Sequence, residues 1–282
     1  MNATVTPTSG DPPDPPLQDI QAGPDRRGIS LVRVGITGLH YPLSVRQKDG
    51  GQQTVTACVD LTAGLHEQQR GAHLSSLVET LDAYHDGVLD LDEVVRLTRE
   101  VRLRQDERGL PFDRADVQLR FKYFLPRAAP ASGLIALVSY ECEYLVTLDS
   151  NSIKHTSVRV PVTTLCPCSL EISDTGAHNQ RAEVFIGLTQ DVDDARTIWF
   201  EDLIATAEAS ASGPVHSLLK RADEKAVTER MFRTPRFTED VVRDTVIRLR
   251  RQYDTRVRYT VRCEAFESIH PHNAYAEANG IW

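Results

Sequence analysis

The stretch Val117-Gln118-Leu119-Arg120-Phe121-Lys122-Tyr123-Phe124-Leu125 sets Val117, Leu119, Phe121, Tyr123 and Leu125 against Gln118, Arg120 and Lys122 between them. A period of two is that of a strand with one buried and one polar face, so the stretch predicts an antiparallel sheet packed on one side. Downstream, past Pro130 and Gly133, a β-rich run over 134–147 supplies a second strand. Upstream, residues 72–84 and 90–104 carry Leu74, Leu77, Val78 and Leu81, then Leu91, Val94, Val95 and Leu97, at helical spacing, and Asp86-Gly87 separates them. Two helices are expected there. Before them the chain alternates from Ile29 through Leu31, Arg33 and Gly35, and a second β-rich run covers 53–61, with Asp49-Gly50-Gly51 as the turn of a hairpin.

The second half follows the same order, with strands over 157–163 and 182–188, helical regions over 200–220 and 239–252, and a strand over 256–266. No residue-level repeat accompanies it. The pattern predicts an α+β fold of two tandem units, about 28–150 and 151–282, each an antiparallel sheet with helices on one face. Such sheets can pair or close into a barrel between subunits. Residues 1–27, with Pro12, Pro13, Pro15 and Pro16 and no apolar periodicity, read as a disordered tail.

At 282 residues and 40% hydrophobic content, the chain can bury a sizeable core. A formal net charge of -8 argues against nucleic-acid binding, which needs a basic surface to neutralise phosphates. The longest apolar run, 134–138, is far short of the roughly 20 residues of a membrane span, and the N-terminus lacks a basic segment followed by an apolar one. A cytoplasmic enzyme is the default expectation. Five cysteines, an odd number and partly clustered, do not form a secreted disulfide framework.

Two clusters carry the chemistry. Thr164-Leu165-Cys166-Pro167-Cys168-Ser169 followed by Gly176-Ala177-His178-Asn179-Gln180-Arg181 places two thiols and an imidazole in one short segment. Glu264-Ala265-Phe266-Glu267-Ser268-Ile269-His270-Pro271-His272 adds carboxylates and two more imidazoles. Cys166 precedes a proline and is therefore biased towards extended backbone, in which residues i and i+2 point to one face, so Cys166 and Cys168 can look into one cavity. Thiolate, imidazole and carboxylate together suit a divalent metal. The plainer reading makes the thiols small buried groups and His178 a hydrogen-bonded structural residue. His270 and His272 flank Pro271 with the same spacing, and two imidazoles beside Glu267 suit proton transfer near neutral pH; a solvated C-terminal segment is the alternative. Glu239 opens a helix, with Thr238 as the expected N-cap, where the dipole stabilises negative charge. It can accept two parallel hydrogen bonds from an amidine-like edge, or be an ordinary first-turn glutamate. The run from Lys220 to Lys225 reads as a solvated charge run.

On these two clusters, on Pro161-Val162-Thr163 leading into the first of them, and on Leu218-Leu219-Lys220-Arg221 followed by Asp223-Glu224-Lys225, the chain resembles the GTP cyclohydrolase type IB family over roughly residues 29–276. The resemblance implies a tunnelling fold, in which antiparallel sheets of several subunits surround a channel and homo-oligomers form active sites at their interfaces. It implies GTP as substrate, opened at C8 with loss of formate and reclosed as 7,8-dihydroneopterin triphosphate, the first step of folate and pterin biosynthesis. Carried over by motif, Cys166, His178 and Glu224 are implied metal ligands, with Glu229 nearby as an alternative carboxylate, and the ion is Zn, Mn or Fe. Cys166, Cys168, Glu267, His270 and His272 are the implied catalytic set. Glu239 would hold guanine, and Arg181, Lys220 and Arg221 are candidates for the triphosphate. Leu170, Thr175 and Ser76 depart from the family pattern and bear on substrate contacts, leaving open a paralogue acting on a related purine nucleotide or a non-catalytic purine-nucleotide-binding protein.

Overall fold

A computed structural model describes residues 19–21, 23–106, 114–253 and 256–282. Most of the expected tail, residues 1–18 and 22, lies outside the described residues. Its near end is tied to the body: Pro24 bridges to Gln69, and Asp25 N donates to Gln68 O at 2.9 Å.

The first half runs β1 (Leu31–Arg46), β2 (Gln52–Leu65), α1 (Leu74–Asp82), β3 (Val88–Leu89), α2 (Leu91–Asp106), β4 (Ala115–Ala128) and β5 (Ile135–Leu148). The second runs β6 (Ile153–Leu165), α3 (Pro167–Ile172), β7 (Asn179–Asp191), α4 (Phe200–Ser210), β8 (Gly213–Pro214), α5 (Arg221–Arg233), α6 (Thr238–Gln252), β9 (Arg258–Ala265) and β10 (Ala274–Ile281). Among the described residues the strands form one sheet in the order β10-β9-β7-β6-β5-β4-β2-β1-β3, with β8 attached to β6 off that path. The main ladders are antiparallel, and the two halves join where β5 pairs with β6, from Glu141↔Arg159 to Thr147↔Ile153.

The alternation of β4 is realised as read: Val117, Leu119, Phe121 and Tyr123 are buried, while Lys122 and Phe124 are exposed. Phe200 of α4 packs on that face, with ring centroids 5.7 Å from Phe121, 5.7 Å from Tyr123 and 4.7 Å from Tyr144. Helices α2, α4 and α6 cover the same face, over β4–β5, β6–β7 and β9–β10 respectively. The opposite face is polar and internally paired, with Arg120–Asp60 at 2.9 Å and Arg159–Glu183 at 2.7 Å.

Two local expectations are corrected and two elements are added. The helical region over 200–220 ends at Ser210, because Ser212-Gly213-Pro214 turns the chain back as β8 onto Val162 and Thr163. The charge run at Lys220 is solvated as read except for Asp223, and it opens α5, a mostly polar helix whose buried residues are Asp223 and Met231. Thr238 is the first helical residue of α6 and not its N-cap; Phe237 is the cap, and its N–H donates to Asp240 Oδ2 at 3.1 Å. The C-terminus forms an edge strand, β10, whose sequence AYAEANGI has too little apolar periodicity to announce it.

Asp223 anchors α5 to the β4–β5 loop. Its carboxylate accepts from Ala131 N at 2.8 Å, Ser132 N at 2.7 Å, Ser132 Oγ at 2.7 Å and Lys220 N at 2.9 Å. Burial alone would raise its pKa, but these donors outweigh that and hold the carboxyl well below the usual carboxylate range. Stability from a depressed carboxyl is present above the unfolded pKa and is lost as pH falls through the folded one. Asp223→Asn should therefore lower the unfolding midpoint near neutrality, with the gap to wild type narrowing below about pH 4. Urea unfolding of both proteins at neutral and acid pH checks this, and a gap that does not narrow contradicts it. No helix among the described residues is long and apolar enough to cross a membrane.

Candidate active site

The site forms where β6, β7, β9 and the start of α6 end together. In the β6–β7 ladder Thr164 pairs with Gln180 and Leu165 with Asn179, so the excursion between the strands returns opposite its origin. Cys166 N donates to His178 O at 3.1 Å, Ser169 Oγ donates to Cys166 O at 3.1 Å, and His178 N donates to Ser169 Oγ at 3.2 Å. These bonds hold Cys166 and His178 side by side. Phe266 N donates to Arg181 O at 2.9 Å, which brings Glu267 to the same end of the sheet, and Arg236 N donates to Leu165 O at 3.0 Å, which brings the start of α6 over it.

A cavity of about 250 Å³ lies between them. Thr164, Cys166, His178 and Gln180 line one side, Arg236, Phe237, Thr238 and Glu239 another, and Ala265, Glu267, His270, His272 and Ala274 the third. His270 and His272 are exposed and stack with centroids 5.0 Å apart and planes 13° apart. Glu239 Oε2 accepts from the hydroxyl of its buried neighbour Thr238 at 2.9 Å. Glu267 turns towards β7: Oε1 accepts from Gln180 Nε2 at 3.3 Å, and Oε2, buried without a hydrogen-bond partner, lies 3.8 Å from His178 Nδ1. Gln180 also contacts His178 Nδ1 at 3.1 Å and Thr164 Oγ1 at 3.1 Å.

The other candidates fall elsewhere. Cys166 is extended (φ -67°, ψ 117°), but Pro167 starts α3 and Cys168 enters its first turn, exposed and outside the cavity. The i, i+2 geometry inferred for the two thiols therefore fails, because the extended backbone stops at Cys166. Cys166 instead caps the helix, its Sγ accepting from Ser169 N at 3.4 Å. Glu224 is exposed on α5, Arg181 is exposed on β7, and Lys220 and Arg221 are exposed at the start of α5; none lines the cavity. Leu170, Thr175 and Ser76 do not line it either. Cys263 faces the core, and burial, reinforced by the charges of Glu239 and Glu264, pushes its thiol up to about 12, so it stays protonated.

Among the described residues no three His, Cys, Asp or Glu side chains are gathered closely enough to hold a metal ion together. The donor chemistry is nonetheless suitable: a thiol and an imidazole share a cavity, and a buried carboxylate oxygen beside the imidazole lacks a partner. A larger cavity, about 860 Å³, opens on the polar face of the sheet, but it contains none of the motif residues, and Arg120 and Arg159 in its wall are already paired with Asp60 and Glu183.

Gln180 and Arg236 were not singled out from sequence. Gln180 was legible in principle, being two residues after His178 where the chain enters β7, a spacing that places both on one face of extended backbone. Arg236 reaches the cavity through a contact with Leu165 that no local pattern encodes.

A family model described as "GCHY-1: Type I GTP cyclohydrolase folE2" matches residues 17–276. The chain is 42% identical to a GTP cyclohydrolase FolE2 of Pseudothermotoga lettingae over 92% of this chain and 97% of that one. It is 39% identical to the protein of the same name from Dictyoglomus thermophilum, over 94% and 99% of the two chains. Among solved structures, a uricase from Arthrobacter globiformis superposes with a TM-score of 0.51 at 10% identity, over 89% of this chain and 93% of that one. At that identity the likeness concerns the fold alone, and the fold is the tunnelling fold.

Proposed function

This chain belongs to the type I GTP cyclohydrolase FolE2 family, and from that membership we propose that its cavity carries out the hydrolysis of GTP at C8. Two waters are consumed as the bonds from C8 to N7 and N9 break and C8 leaves as formate; the ribose, still bound to N9 through C1′, opens and rearranges to a C2′ ketone, which condenses with the freed N7 amine and releases one water to give 7,8-dihydroneopterin triphosphate. The observation that carries the reading is the convergence of Cys166, His178, Glu267, His270, His272 and Glu239, from two distant segments and a helix start, on one cavity.

Glu239 accepts guanine N1–H and the N2 amino group through its two oxygens, aided by the positive end of α6. At about 250 Å³ the cavity is smaller than the ~300–1,000 Å³ of pockets that enclose a drug-sized ligand, so it takes the base and leaves the triphosphate outside. Arg181, Lys220 and Arg221, all exposed, remain our candidates for that outer part. The stacked His270 and His272 exchange protons with the ring nitrogens as the C8 bonds break and reclose.

A divalent cation, Zn, Mn or Fe, would be held by Cys166 and His178. The family motif gives the third place to Glu224; Glu267 Oε2 lies 3.8 Å from His178 Nδ1 and would serve that side of the ring rather than the cation. Such a cation supplies Lewis acidity, which makes water a competent nucleophile near neutral pH. We also propose a cytoplasmic homo-oligomer with interfacial active sites; the outer edge of β10, which pairs with no other strand among the described residues, supports the assembly. Light scattering that gives a monomer would remove that part.

The test is to incubate purified protein with GTP and a panel of divalent metals, following formate, ultraviolet absorbance and pterin fluorescence. Formate and fluorescence appearing together is the expected result. GTP binding without product and without bound metal would favour a non-catalytic purine-binding protein.

A further inference from the structure

We propose that Gln180 is a positioning residue that decides which nitrogen of His178 carries the proton, and that it does so by bridging His178 to Glu267. The proposal deepens the enzymatic reading, on which the role of His178 rests, but its first test needs no turnover.

Gln180 lies across the β6–β7 ladder from Thr164, and its amide makes three contacts. One end is 3.1 Å from His178 Nδ1; the other is 3.1 Å from Thr164 Oγ1 and 3.3 Å from Glu267 Oε1. An ionised carboxylate only accepts, so the –NH₂ end has to face Glu267, and the reversed amide would set two acceptor oxygens against each other. That orientation turns the amide carbonyl to His178. A carbonyl likewise only accepts, so the hydrogen of the neutral ring sits on Nδ1 and the lone pair is left on Nε2.

Burial gives the arrangement its force. The side chains of His178 and Glu267 are 18% and 11% exposed, and Thr164 is 1% exposed, so water can do little to satisfy the wrong tautomer. Glu267 Oε2, 3.8 Å from Nδ1, is too far for a hydrogen bond, which leaves Gln180 as the direct partner of that nitrogen. Thr164, Gln180, Glu267 and His178 thus form one chain of contacts, and its outcome is an imidazole with Nε2 free to accept a proton or a cation.

The experiment is ¹⁵N-histidine NMR of metal-free protein at about pH 8, above the ordinary imidazole pKa, with the His178 signal assigned by its loss in His178→Asn. Wild type is expected to show the Nδ1–H tautomer. Gln180→Met, which removes the carbonyl, should shift His178 towards the Nε2–H form and lower kcat/KM by about 10- to 100-fold, the range for residues that orient a ligand. Gln180→Glu, which still offers Nδ1 an acceptor, should keep the wild-type tautomer while losing the donor to Glu267. A wild-type ring protonated on Nε2 overturns the proposal even if neither variant folds, and so does an unchanged tautomer in Gln180→Met. The expected spectra in a protein that releases no formate would instead remove the enzymatic reading and leave this one standing.

Discussion

Cys166→Ala is expected to abolish formate release from GTP, lowering kcat/KM on the order of 10³-fold or more, or ~4 kcal/mol of transition-state stabilisation. The thiol lines the cavity beside His178, and alanine offers neither a metal donor nor a polar atom in its place. Bound divalent metal should fall with activity. The fold should survive, because Cys166 is only partly buried and its structural task is one 3.4 Å sulfur contact capping a short helix. Cys168→Ala is the matched control: that thiol is exposed outside the cavity, so its loss should leave metal content and most activity intact. Equal losses in the two variants, or a Cys166→Ala protein that retains metal and turnover, would remove Cys166 from the chemistry.

Glu239→Gln should lower kcat/KM for GTP by about 10²- to 10⁴-fold, from two charge-assisted hydrogen bonds at ~1.5–3 kcal/mol each. The amide turns one acceptor into a donor that confronts the donors of guanine. Thr238 Oγ1 donates to Glu239 Oε2 at 2.9 Å and orients the carboxylate from the adjacent position. Selectivity is the sharper readout. Wild type should prefer GTP to inosine triphosphate, which lacks the 2-amino group, and the variant should lose most of that preference. If selectivity is unchanged while activity falls, Glu239 acts on something other than the base edge.

Two elements that the local pattern does not announce, β10 and α5, share one origin. Leu119, Phe121 and Tyr123 announce their strand because each contributes to a buried face repeated every second residue. The residues of β10 and α5 lack such a face of large apolar side chains: β10 is an edge in which Ala and Gly alternate with Tyr275, Glu277, Asn279 and Ile281, and α5 is held by Asp223 reaching a loop some ninety positions earlier. Cys168 was misplaced for a different reason. A proline constrains the residue before it to extended backbone, yet it is also a favoured first residue of a helix, and here both effects act one residue apart.

The amino-acid sequence by itself determined the alternating strands, the amphipathic helices α1, α2 and α6, the order in which they recur, and the chemical inventory of thiol, imidazoles and carboxylates, since each is written in neighbours a few positions apart. Only the tertiary structure decided which members of that inventory meet. Cys166, His178, Glu239 and Glu267 share a cavity, Gln180 and Arg236 join them, and Cys168 and Glu224 stay outside, because β6–β7 pairing, the β9 return and the docking of α6 on Leu165 are long-range contacts. Such contacts are set by how whole faces pack, and no local period in the chain records them.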